Sequence, residues 1–240
     1  MTKSEALQFF NTGKDFVNLN LPEGRKLKPQ LEELNRIVSS VSQSIEEIGG
    51  ESDENTVSIK LPDVKDFEDL SKFSSDFHKI LNQSIVNEDI KGEVRIDSVE
   101  NGSIWLDVYL GSAAAVSLIG GLAWASAVVY KKIQEGRLIE KHVESLGVKN
   151  ASLKEIQTKQ KEALSLMIDA EANNLYNENF EGNSPEQIER LKLSIKLFSE
   201  LIDKGAEIHP ALNQPESVKN LYPKMTNLQT LESKIKKIEE

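Results

Sequence analysis

The stretch LGSAAAVSLIGGLAWASAVVY, Leu110–Tyr130, decides how the rest of the chain is read. It holds no charged residue and no proline, and its polar groups are small hydroxyls and the ring tips of Trp124 and Tyr130. As a helix rising about 1.5 Å per residue it would run roughly 30 Å, the thickness of a bilayer's hydrocarbon core. Asp107 closes it on one side and Lys131-Lys132 on the other. The default expectation is a membrane-spanning helix. The alternative is the buried central helix of a soluble oligomer, and composition keeps it open. Leu110, Val116, Leu118, Ile119, Leu122, Val128 and Val129 promote insertion. At about −0.3 to −0.6 kcal/mol each they supply roughly −2 to −4 kcal/mol. The glycines, serines and alanines add little, so a lone helix of this kind inserts marginally.

The small residues form a ridge. Ala113, Ser117, Gly121 and Ala125 recur every four residues, with Ala114 and Gly120 beside them. Such a ridge lets helices approach closely in lipid, or lines a narrow pore. Either use expects copies of the same helix as neighbours. Trp124 falls on the small side, placed to plug a packed interface or a constriction, and Tyr130 next to Lys131-Lys132 suits an interface anchor.

The totals narrow the function classes. The chain has 240 residues and a net charge of −10. That balance argues against broad, non-specific nucleic-acid binding and leaves room only for a local basic pocket. There is no cysteine, hence no disulfide framework and no thiol catalysis. The opening residues MTKSEALQFFNTGKDF show no apolar core of a signal peptide. Lys131, Lys132, Arg137 and Lys141 outnumber Lys91 and Arg95 across the apolar run, which would place the C-terminal side in the cytoplasm. Exporting the first hundred residues without a signal conflicts with that. A conditional, assembled pore fits better, at a bacterial inner membrane with domains mainly cytoplasmic.

Around the apolar run the chain reads as α+β in four parts. Residues 1–50 hold N-terminal helices, one starting at Ser4 and one following a helical period from Leu31 to Ile48. Between them lies a basic loop with Arg25, Lys26 and Lys28, either solvated or a phosphate clamp. Residues 51–109 read as a β-α-β-β sensor domain: strand Thr56–Leu61, helix Asp66–Val86, strand Gly92–Val99 and strand Ser103–Tyr109, with Asn101-Gly102 as a tight hairpin turn. In the second strand Val94 and Ile96 should face inward, and Arg95 and Asp97 outward. Residues 110–147 are the apolar helix and its extension. Residues 148–240 are a helical C-terminal domain. One helix opens at Ser152-x-x-Glu155 and one at Ser184-Pro185; a proline-broken stretch follows, and Thr226-x-x-Gln229 opens a last helix.

No enzyme motif survives inspection, and none is expected to operate. Asn11-Thr12-Gly13-Lys14 lacks P-loop spacing, and His78, His142 and His209 have no metal-ligand spacing. No cofactor or metal is expected. The sharper feature is the outward sheet face, where Lys60, Arg95, Trp105 and Tyr109 project together. Aromatic rings with cations suit single-stranded nucleic acid, at about 1–3 kcal/mol per stacked base. The same face could instead pack on a helix or another subunit, and Asp97 and Asp107 spoil a pure anion site.

A small cytoplasmic sensor, one conditional apolar helix and a helical C-terminal domain resemble the layout of bacterial antiphage membrane effectors. Within that class the run Val94–Lys132, with RIDSVENGSIWLDVYLGSAAAVSLIGGLAWASAVVYKK within it, resembles the pore-forming effector of Hailong-type defence: hairpin, small-residue helix, basic stop. The resemblance implies a tetrameric ion channel that binds single-stranded oligodeoxyadenylate made by a partner nucleotidyltransferase. Loss of that ligand would open the pore and arrest the cell. The competing expectation is a soluble or peripheral oligomeric scaffold or binding protein with Leu110–Tyr130 at its centre.

Overall fold

Apolar and polar side chains alternate along Thr56–Lys60, and this strand, β1, becomes one of the two inner strands of a four-stranded antiparallel sheet. The computed structural model describes residues 22, 25, 28–29, 31–37, 39–40, 53–100, 104–146 and 150–235. The chain divides into two compact units, Met1–Ser52 and Asp53–Glu240. In the first, residues 31–37 and 39–40 are helical, and Leu31, Leu34 and Ile37 are exposed. The expected helix at Ser4, the residue Lys26 and the expected Asn101-Gly102 turn lie outside the described residues.

The second unit is α+β. After β1 come α1 (Phe67–Ile85), β2 (Arg95–Glu100), β3 (Trp105–Tyr109), α2 (Ala113–Ser145), α3 (Asn150–Asn179) and α4 (Pro185–Asp203). A short strand β4 (Glu207–Pro210), the helical turn α5 (Glu216–Lys219) and a 3-10 turn (Met225–Thr230) complete it. The sheet order is β2-β3-β1-β4. Val57, Ile59, Val108 and Ile208 point to one face and are almost fully buried. They share a single core with Phe73, Phe77 and Ile80 of α1 and with Phe198 of α4, whose ring meets that of Phe77 edge-on at 5.8 Å.

Helix boundaries follow local chemistry. Asp66 caps α1 by accepting from the Asp69 amide, Ser112 caps α2 by accepting from Ala115, and Ser184 caps α4 by accepting from Gln187. Pro185 occupies the first turn of α4, where its missing N–H costs nothing. Between β3 and α2 the chain turns at Gly111, with φ of +83°; a Cβ there would lie 2.7 Å from the Glu93 amide nitrogen. Only glycine fits that corner.

Three expectations need correction. The stretch around Pro210 contains a strand, β4, because it lies at the sheet edge and a proline there removes no ladder hydrogen bond. In β2 the register shifts between Ile96 and Ser98, so Ser98 rather than Asp97 opposes Asp107. Ile96, expected to face inward, opposes Val108 but stays 58% exposed, since β2 is the other edge. The last expected helix is only the 3-10 turn Met225–Thr230, kinked at Asn227, followed by a non-helical strap over 231–235. Side chains of α2 bond the strap's carbonyls: Trp124 Nε1 donates to Glu232 at 2.8 Å and Lys131 Nζ to Leu231 at 3.0 Å. Ile238 lies outside the described residues.

Candidate functional site

Two regions gather the residues singled out from the sequence. The first is the outer sheet face. Cross-strand register places Lys60 beside Trp105 and Glu207, Ser58 beside Asp107 and His209, and Arg95 beside Tyr109. The four expected ligand residues Lys60, Arg95, Trp105 and Tyr109 therefore do share this face. Their cations are engaged, however. Lys60 Nζ bonds Glu207 Oε1 at 2.6 Å, and the Glu207 carboxylate also meets His209 Nε2 at 3.0 Å. Burial alone would raise the Glu207 carboxyl, but hydrogen bonds from Lys60 and His209 outweigh it and hold it below the ordinary range. Arg95 stacks 4.5 Å over the Tyr109 ring while bonding Asp97 at 2.9 Å and pairing with Glu93 at 3.6 Å. Asp107 accepts from Ser58 and Ser98, each at 2.6 Å. Trp105 leans on His209, ring centroids 5.6 Å apart.

Each cation here faces a carboxylate before any ligand arrives. Glu207 and His209 were missed in the sequence because β4 was missed. The signal was a three-residue alternation, Glu207 and His209 out with Ile208 in, too short to outweigh the neighbouring proline. Arg25 and Lys28, from the expected phosphate clamp, are helical rather than in a loop, and both are exposed in the first unit.

The second region is the small-residue ridge of α2. Ala113 is exposed, Ser117, Gly121 and Trp124 are half-buried, and Gly120 and Ala125 are buried. Segments of this same chain fill the ridge. A Cβ on Gly120 would stand 2.7 Å from the Tyr222 ring and 3.0 Å from the Leu221 Cβ, and one on Gly121 would stand 2.8 Å from Leu175 of α3. Tyr222 lies across the ridge and its hydroxyl donates to the Val116 carbonyl at 2.7 Å. Burial pushes that hydroxyl's pKa far above the ordinary tyrosine range, so it stays a donor. Ser126 returns its hydroxyl to the Leu122 carbonyl at 2.7 Å, so its polarity is absorbed within the helix.

Beyond the ridge, Arg137 holds Asp203 at the end of α4 through two bonds of 2.8 Å, with Gln134 adding a third at 2.7 Å. Hydrogen bonding to Arg137 lowers the Asp203 pKa. Among the described residues no group of three or more His, Asp or Glu side chains is arranged to hold a metal ion. By length and composition α2 could cross a membrane, and 67% of its apolar window is buried inside the fold. The same two properties suit the core helix of a soluble protein.

Comparison with known proteins adds one relative. The chain is 30% identical over 188 residues to the uncharacterized protein YqaP of Bacillus subtilis (strain 168). The match covers 75% of this chain and 60% of YqaP, so the chain spans well under the full length of that relative. No family model and no solved structure matches.

Proposed function

We propose that the chain is a non-enzymatic binding protein, soluble or peripheral, assembled around a buried apolar helix. The observation that carries this reading is the filling of the ridge at Gly120 and Gly121 by Tyr222 and Leu175 of the same chain. A ridge already occupied has no room for a second copy of α2 without rearrangement. The binding surface in this reading is the outer sheet face. Its ion pairs and aromatic rings suit a protein surface of mixed charge better than a phosphate chain, because a polyanion would have to displace Glu207 from Lys60 and Asp97 from Arg95.

A second reading keeps the membrane. The length and apolarity of α2 support an oligomeric pore that forms only after the ridge is uncovered, gated by a nucleotide, as the resemblance to antiphage effectors implies. Fractionation of the untagged chain with and without detergent, followed by native mass determination, separates the two. The binding-protein reading expects a soluble species of defined mass without detergent. A membrane-bound oligomer released only by detergent would reverse the order of the two readings.

A further inference from the structure

Lys234, an exposed residue of the strap, lines a cavity of about 210 Å³ between α2 and α3. Trp124, Glu171, Asn174 and Glu178 wall this space. The Lys234 ammonium sits 3.7 Å from the centroid of the Trp124 ring. It donates to the carbonyls of Asn220 at 3.1 Å and Leu221 at 3.3 Å. Burial pushes the Lys234 ammonium's pKa down, partly offset by the charge of Glu178, whose carboxylate Asn174 orients through a 3.1 Å bond. Glu171, only 3% exposed, accepts from Ser233 beside it. An indole face, two carbonyl oxygens and a nearby carboxylate are the groups that replace water around a primary ammonium.

We propose that the mouth of this cavity, between the Trp124 ring and the Asn220 and Leu221 carbonyls, is a binding site for a primary alkylammonium ion, taken here by the chain's own Lys234 as a tethered occupant. A free alkylamine of matching size competes with Lys234 for the cage. When it wins, the strap over 231–235 loses its ammonium anchor on α2, and the Trp124–Glu232 bond has to form or fail without it. Binding of a small cation is thereby linked to the cover of the ridge. The inference rests on the covered state of α2 described above, and it is read on the detergent-free chain.

The test uses the full chain with Trp105→Phe, which leaves Trp124 as its one indole. n-Butylammonium chloride is titrated against emission, with sodium chloride at matched ionic strength as control. Lys234→Ala empties the cage, and Lys234→Met empties it of charge while keeping most of the aliphatic stem. Both variants should bind the amine saturably, at least about tenfold more tightly than the chain with Lys234 in place, because a tethered ammonium acts at a high effective concentration. Adding Glu178→Gln to Lys234→Met should weaken binding severalfold. A response no larger than that to sodium chloride, or equal affinity with and without Lys234, would overturn the proposal. Loss of the folded circular-dichroism spectrum in both variants would overturn it too, since Lys234 would then be a structural pin. Fractionation reads the functional reading separately, so a soluble chain that ignores the amine sinks only the cage.

Discussion

The two halves of α2 belong to one unbroken helix, yet they meet their surroundings in opposite ways. Residues 113–130 are wrapped by α3, α4 and the strap, and nearly every apolar side chain from Ala115 to Val129 is buried. Residues 131–145 run on beside the first half of α3 as a two-helix arm, with Leu138 67% and Ile139 51% exposed. A cavity of about 690 Å³ opens along that arm, lined by Ile133, Gly136, Ile156 and Leu164 among others. The glycines record the contrast. Gly120 lies under an aromatic ring and a backbone-proximal Cβ, Gly121 under the movable end of a leucine, and Gly136 near only the carboxamide of Gln160 at 3.3 Å. A small residue in the first half marks close approach; in the second half it marks only a weak spot in the helix.

The contrast can be broken most sharply at Gly120. Gly120→Ala should destabilise the fold by about 1–3 kcal/mol, because Tyr222 and Leu221 must shift to admit the methyl group. Urea unfolding measures it, and an unchanged midpoint would mean that the strap does not seat on α2. Next in size is Tyr222→Phe, which removes the second hydrogen bond to the buried Val116 carbonyl and should cost about 1 kcal/mol by the same assay.

In the opposite direction, Gly136→Ala should gain up to about 1 kcal/mol, since the helix prefers alanine and the neighbouring carboxamide can move. If it destabilised the chain as much as Gly120→Ala, the two halves would be packed alike. The weakest effect expected is at Leu138. Leu138→Lys should change stability by no more than about 0.5 kcal/mol if the arm is solvated.

Glu171 sharpens the comparison through pH. Burial raises its pKa above the usual carboxylate value, more than the Ser233 hydrogen bond lowers it. A carboxyl whose folded pKa is raised contributes stability that is full below its unfolded pKa and is lost as pH rises through the folded value. Wild-type melting temperature should therefore fall between mildly acidic and neutral pH more than that of Glu171→Gln. Parallel profiles for the two would place Glu171 in water.

Much of this fold was legible in the sequence, and the exceptions share a cause. The caps at Asp66 and Ser184, the alternation in β1 and the apolar run of α2 are local signals, decided within a few residues. Glu207 lies 147 positions from its partner Lys60, and nothing near either residue announces the pairing. Tyr222 lies 106 positions from Val116, whose carbonyl it bonds, so a ridge that locally invites a second helix is occupied by a ring from far along the chain. The strap failed as a helix because its carbonyls serve Trp124 and Lys131 instead of its own amides. Lys60 and Arg95 do share the outer sheet face; the carboxylate partner of Lys60 came from a strand that a proline concealed, whereas Asp97 and Glu93, the partners of Arg95, lie beside it in sequence.

The central claim is that the ridge of α2 is covered by its own chain rather than by lipid or by copies of itself. Trp124 reports on that directly. In the full chain with Trp105→Phe, mixed with vesicles of brominated acyl-chain lipids, the account predicts emission indistinguishable from that with unbrominated vesicles, because the indole lies under Glu232 and Lys234. Strong quenching by the brominated chains would put Trp124 in the bilayer and contradict it.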